Sequence, residues 1–248
     1  MRPRIHNLAA VFGVFVLAAC QTPSGTNPDR LHGAFFTADG AIGGRYEDFA
    51  ADLKTAIPEP AGTTLVLFNH GTSAGGLDQK CRPQKALPWF FAILPKNLPE
   101  AVLYYPCSDV LGGSSGAGQS RQIYQLRGRE IAALLDRFMA HGVAPGRIIL
   151  VGHSGGASAV MVAAQAAQAA DKFAAFVASA PGHGYAYLGR DAGNNPILSG
   201  QVYGWRQALK EATGPGLVFA YEGDRFSPPG DLEFLAGVDG IELVGVRD

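Results

Sequence analysis

Short continuous apolar runs, set apart by stretches rich in glycine and proline, dominate the chain from Thr63 onward. Thr63–Phe68, Ala101–Tyr105, Arg147–Val151, Phe173–Ala180, Leu217–Tyr221 and Ile241–Val246 are each of strand length and place apolar and β-branched residues side by side. Strands buried on both faces of a parallel sheet have this pattern, whereas a sheet with one wet face would alternate. Between the runs the period changes. Gln119–His141 predicts a helix, with Ile123, Leu126, Ile131, Leu134, Leu135 and Phe138 near one face, and Ala157–Ala170 predicts another from its alanine, valine, methionine and glutamine content. Strand alternating with helix predicts an α/β fold. Gly182–Gly216 is only weakly periodic, with Tyr185, Tyr187, Tyr203 and Trp205 interspersed with Gly, Asn and Pro.

At the N-terminus, Arg2 and Arg4 precede the apolar stretch Leu8–Ala19, which is short for a membrane span and built like a secretory signal. It ends Leu17-Ala18-Ala19-Cys20, which resembles a bacterial lipobox; the resemblance implies a lipidated Cys20 at the mature N-terminus. Residues 1–19 are expected to form the signal, 20–30 a Pro/Ser/Thr/Gly/Asn-rich tether, and 31–248 one domain. Gln21 after the cysteine implies, by the same resemblance, an envelope protein anchored in the outer membrane and facing the periplasm. The 47% hydrophobic content can fill the core of one such domain. A net charge of −1 gives no basic footprint for nucleic acid. No metal-ligand spacing, phosphate loop or dinucleotide fingerprint is present, so no metal and no cofactor is expected. The sequence leaves the oligomeric state open.

Three segments match Gly-x-Ser-x-Gly, and their contexts differ. Gly71-Thr72-Ser73-Ala74-Gly75 runs on into Gly76 and soon reaches Pro83 and Pro88, so no regular helix is expected to start there. Gly112-Gly113-Ser114-Ser115-Gly116 lies in a glycine and serine run. Only Gly152-His153-Ser154-Gly155-Gly156 stands between a predicted strand and a predicted helix. A serine hydroxyl is a weak nucleophile, so it must be held in the open near a base and near donors for an oxyanion; a sharp strand-to-helix turn does this, and it needs glycine where backbones crowd. Ser154 is the candidate nucleophile, and the Gly155 N–H, at a helix N-terminus, is a candidate oxyanion donor.

With these features the chain resembles the α/β-hydrolase family from about Thr63 to its end. A second mark is Asn69-His70-Gly71-Thr72 after Leu65-Val66-Leu67-Phe68, where such hydrolases often carry His-Gly in the loop that supplies a second oxyanion N–H. The resemblance implies a mostly parallel central sheet with helices on both faces, Thr72 as that second donor, and an acid after a later strand. Asp224, in Glu222-Gly223-Asp224-Arg225, is the candidate acid, with Glu222 as its competitor. His70 and His153 are candidate pocket residues, His70 having a loop-shaping alternative. Residues 182–216 fall where the family often inserts a cap. In an oxidising compartment Cys81 and Cys107 form an even pair, and the family places their strands side by side, which implies a disulfide.

Family order puts the base histidine after the acid, and none of the six histidines follows Asp224. The histidine loop and covering helix that the resemblance implies beyond the last strand are also missing. Three explanations stay open: a chain that continues past Asp248, a complete non-catalytic relative, or His183, in Pro181-Gly182-His183-Gly184, acting as substitute base. On the first explanation the 248-residue chain is expected to be nearly inactive. The expected activity is a serine esterase or related acyl hydrolase acting on a small acyl substrate; the alternative is a hydrolase-fold binding module of the envelope.

Overall fold

The computed structural model describes residues 32–44, 49–71, 87–88, 91, 93–108, 117–165, 169–181, 196–224 and 227–247. The signal and tether, Thr72, Cys81, His183 and the first part of the candidate cap lie outside the described residues. The elements are β1 (His32–Thr37), β2 (Gly40–Gly44), α1 (Phe49–Ala56), β3 (Thr64–Asn69), α2 (Leu94–Asn97), β4 (Ala101–Cys107), α3 (Ala117–His141), β5 (Ile148–His153), α4 (Gly155–Ala163), β6 (Ala175–Ser179), α5 (Pro196–Lys210), β7 (Gly216–Tyr221), α6 (Pro229–Leu232) and β8 (Ile241–Val246).

The strands form one sheet of eight in the order β2-β1-β4-β3-β5-β6-β7-β8. β1 pairs antiparallel with β2 and β4, and every other pairing is parallel. Because successive side chains point to opposite faces, the continuous apolar runs feed two cores. Leu65, Leu67, Val102, Tyr104, Ile148 and Leu150 join the larger one, where Phe35, Phe49, Tyr104 and Phe138 pack as an aromatic group. Val66, Phe68, Leu103, Tyr105 and Val151 join the smaller one with Leu87, Phe91 and Leu94. Both faces of β3, β4 and β5 are thereby covered, as the absence of alternation predicts.

Two helices differ from expectation. α4 stops at Ala163, short of the predicted Ala170, because tertiary partners take over its last carbonyls and the side chains beyond: Thr213 donates to Ala164 O from its backbone N–H at 2.9 Å and from its hydroxyl at 3.0 Å, and Gln165 Nε2 donates to Ala208 O at 2.7 Å. Good helix propensity yields to these contacts. Within the weakly periodic stretch, α5 is a regular helix of the body: Trp205, Ala208 and Leu209 enter the larger core, and Trp205 lies against Tyr124 of α3 with ring centroids 5.2 Å apart. Tyr203, by contrast, is 66% exposed. Among the described residues, no helix is long and apolar enough to cross a membrane.

Candidate active site

β5 gives way to α4 within one residue. Ser154 takes φ 54° and ψ −122°, a conformation that costs a side-chain-bearing residue about 1–3 kcal/mol and persists only where the surroundings enforce it. They do so from both sides. The Ser154 N–H donates to Ser179 O of β6 at 2.8 Å, and its carbonyl accepts the Ser158 N–H at 3.2 Å as α4 begins. Ser154 is half-buried at the carboxyl edge of the sheet, and Gly155 is the first residue of α4, whose opening amides have no intrahelical acceptor. Positive dipole and free donor valence therefore gather beside the serine.

The flanking glycines are sterically required. A Cβ on Gly152 would strike the Gly156 carbonyl oxygen and sit 2.6 Å from Ala157 Cα; a Cβ on Gly156 would strike the Asn69 carbonyl oxygen and sit 2.6 Å from His70 O. On the β3 side, a Cβ on Gly71 would lie 3.1 Å from Ser154 Cβ and 3.3 Å from His153 O. The turn after β3 thus presses directly on the serine turn. Among the described residues a second non-glycine residue has positive φ, Ala180 at 51°, and it follows β6, the neighbour of β5. Its N–H donates to Phe219 O of β7 at 2.9 Å. Strained backbone thus occurs after two adjacent strands at one edge, a clustering typical of functional sites.

His70 is 3% exposed, stacks on Tyr105 with centroids 5.4 Å apart at 18°, and has Nδ1 2.8 Å from Gly71 O. A carbonyl only accepts, so Nδ1–H is the donor and the tautomer is set. Here the imidazole bonds within its own turn and is buried against Tyr105. His153 is exposed at the end of β5, with Nδ1 on the Gly71 side.

Below that turn lies a polar group that the hydrophobic pattern does not announce. Arg127 and Glu130 of α3 are 2% and 4% exposed. Arg127 Nη2 donates to His70 O at 2.7 Å, and the Ser108 hydroxyl, just past β4, donates to Glu130 Oε2 at 2.5 Å. Burial pushes the Arg127 guanidinium below its ordinary pKa, and the Glu130 carboxylate pulls the other way. Burial likewise raises the Tyr105 hydroxyl well above its ordinary range, opposed by Arg127. One signal could have found Arg127: it falls in the stripe Tyr124, Arg127, Ile131, Leu134, Phe138, where helical spacing calls for an apolar residue.

Asp224 lies three residues past the end of β7, is partly buried, and donates its N–H to Tyr221 O at 3.1 Å. Tyr221 and Ser179 join the ends of β7 and β6 through their hydroxyls at 3.1 Å. Glu222 faces outward, with Oε1 3.4 Å from Arg247 Nε in an exposed pair. β3, β5, β6 and β7 are parallel, so Gly71, Ser154, Ala180 and Asp224 lie at the same edge. Among the described residues, no group of three His, Cys, Asp or Glu is arranged to hold a metal ion.

No protein-family model matches the sequence, and no curated protein matches it. In structure the chain is similar to a puromycin-hydrolysing peptidase of Mycobacterium tuberculosis, with TM-score 0.53 and 15% identity, over 77% of this chain and 31% of that one. It is similar to a prolyl endopeptidase, with TM-score 0.51 and 13% identity, over 90% of this chain and 35% of that one. Est1E of Butyrivibrio proteoclasticus with ferulic acid bound gives TM-score 0.50 and 16% identity, over 77% and 82%. The chain spans about a third of the length of the two peptidases. At such identities the likeness is one of fold: the mostly parallel sheet of eight strands with its helices is an α/β-hydrolase fold.

Proposed function

We propose that the protein is a serine hydrolase that cleaves carboxylic esters or related acyl bonds through an acyl-enzyme at Ser154. The observation that carries this reading is the strained Ser154 turn, with φ 54°, enforced by glycines that admit no Cβ and pressed against the turn after β3. A fold bears such strain where geometry matters more than stability. Ser154 passes its proton to the base histidine and attacks the acyl carbonyl, and the tetrahedral adduct collapses by breaking the bond to the leaving alcohol, which takes that proton. The Gly155 N–H and the Thr72 N–H receive the oxyanion. Water then releases the acyl group.

Asp224 orients the base histidine and stabilises its imidazolium. The ends of β5 and β7 are two strand spacings apart, about 10 Å, with β6 between them. That gap suits an imidazole bridging serine to carboxylate, and within this chain His183, in the segment that continues from β6, is the candidate. In the full-length gene product Asp224→Asn is expected to lower kcat on p-nitrophenyl butyrate by roughly 10²–10⁴-fold, and Glu222→Gln to leave it within about twofold, as expected for a screened surface pair. The reverse ranking would move the acid to Glu222. Undiminished turnover in His183→Ala would remove His183 from the mechanism.

The remaining assignments belong to the same proposal. Cys20 carries the lipid anchor that holds the domain at the envelope; Cys20→Ser is expected to shift the protein from the membrane to the soluble fraction, and retention would refute the anchor. Cys81 pairs with Cys107, supported by the disulfide state of Cys107 at the end of β4. The substrate is a small acyl compound, and no cofactor takes part.

A further inference from the structure

The charged pair inside α3 has no place in the chemistry just described, and a fold does not retain a buried guanidinium without partners that compensate its lost hydration. Arg127 Nη2 donates to His70 O at 2.7 Å. In a trans peptide the carbonyl of one residue and the N–H of the next are fixed on opposite sides of one plane. No cis peptide occurs among the described residues, so holding His70 O also fixes the Gly71 N–H and the entry into the turn that abuts Ser154. On its other side the same carbonyl meets Gly156 of the serine turn. The His70–Gly71 unit is thus clasped between α3 and α4. Ser108 and Glu130 tie the end of β4, the strand beside β3, to the same helix.

We propose that Arg127 is a positioning residue for the oxyanion loop: through His70 O it sets the orientation of the turn after β3 against Ser154. The inference rests on the hydrolase reading of Ser154. Arg127 touches no reacting atom and acts through the backbone it holds. Lysine would keep the charge but lose the planar fork that aims it.

The test uses the full-length gene product with Arg127→Lys, and with Arg127→Met combined with Glu130→Gln so that no carboxylate is stranded in the interior. Two readouts are taken: p-nitrophenyl butyrate kinetics per active site titrated with a fluorophosphonate, and peptide-resolved amide hydrogen exchange. Expected is a fall in kcat of about 10–100-fold with KM within about twofold, smaller for the lysine variant than for the double variant. Exchange is expected to quicken about tenfold or more at residues 69–72, with β4 and β5 unchanged. Unchanged kcat per titrated site, or exchange that quickens equally through β4 and β5, overturns the positioning role, the latter by showing a general loss of stability. If the wild-type protein neither turns over the ester nor reacts at Ser154, the hydrolase reading fails instead, and exchange confined to residues 69–72 still identifies Arg127 as the anchor of the turn.

Discussion

Ser154→Ala in the full-length gene product is expected to reduce kcat/KM for p-nitrophenyl butyrate by roughly 10⁴–10⁶-fold, the loss seen when the nucleophile of such a unit is removed. Only the hydroxyl is lost; the Ser154 N–H bond to Ser179 O and the opening of α4 remain, so the circular dichroism spectrum should be unchanged. The backbone supplies a control that separates chemistry from fold. At φ 54° and ψ −122° alanine inherits the strain of serine, whereas glycine does not. Ser154→Gly should be equally inactive yet melt above Ser154→Ala, because relief of about 1–3 kcal/mol of strain outweighs a glycine entropy cost of about 0.5–1 kcal/mol. At about 2–4 °C per kcal/mol the difference is measurable by scanning calorimetry. An inactive glycine variant that is no more stable than the alanine variant would mean that the turn is not strained.

The largest effect on folding is expected from Gly156→Ala. The added methyl would overlap the Asn69 carbonyl oxygen and approach Asn69 C and His70 O to 2.6 Å, all of them backbone atoms that cannot rotate away. Relief requires β5, α4 or the turn after β3 to shift, and overpacking of this kind costs about 1–3 kcal/mol or more even where side chains can yield. Gly156→Ala should therefore lower the melting temperature by about 2–12 °C or more, or prevent soluble expression, and any folded protein should have lost its alignment of Ser154 with Gly71. Gly146→Ala is the comparison, since a Cβ there meets nothing within 4 Å. It should stay within about 0.5 kcal/mol of wild type. Equal melting temperatures for the two variants would contradict the steric account.

The parts of the fold legible in the sequence are those whose burial is simple. β3, β4 and β5 are covered on both faces, and their apolar runs stand out without any periodic analysis. The Ser154 turn is legible because strand, glycine spacing and helix coincide there and at neither look-alike. The hairpin of β1 and β2 is harder to see, because Gly40–Gly44 holds three glycines and its strand character comes from pairing with β1. α5 is obscured by Gly200 and Gly204, yet Trp205 and Leu209, one turn apart, give it a buried face. Arg127 and Glu130 escape a reading that sends charges to the surface, while Leu126, expected on the apolar face, is only half-buried. The sequence favours Asp224 over its competitor Glu222; in the structure Asp224 is partly buried just past β7, while Glu222 is paired outward with Arg247.

The central claim is that Ser154 is a nucleophile, and direct covalent capture tests it. The full-length gene product is incubated with a fluorophosphonate, digested, and searched by mass spectrometry for the adduct. The account predicts one phosphonyl group per chain on the peptide containing Ser154, formed with loss of ester hydrolysis and absent from Ser154→Ala. An unlabelled Ser154, or labelling that persists in the alanine variant, would contradict it.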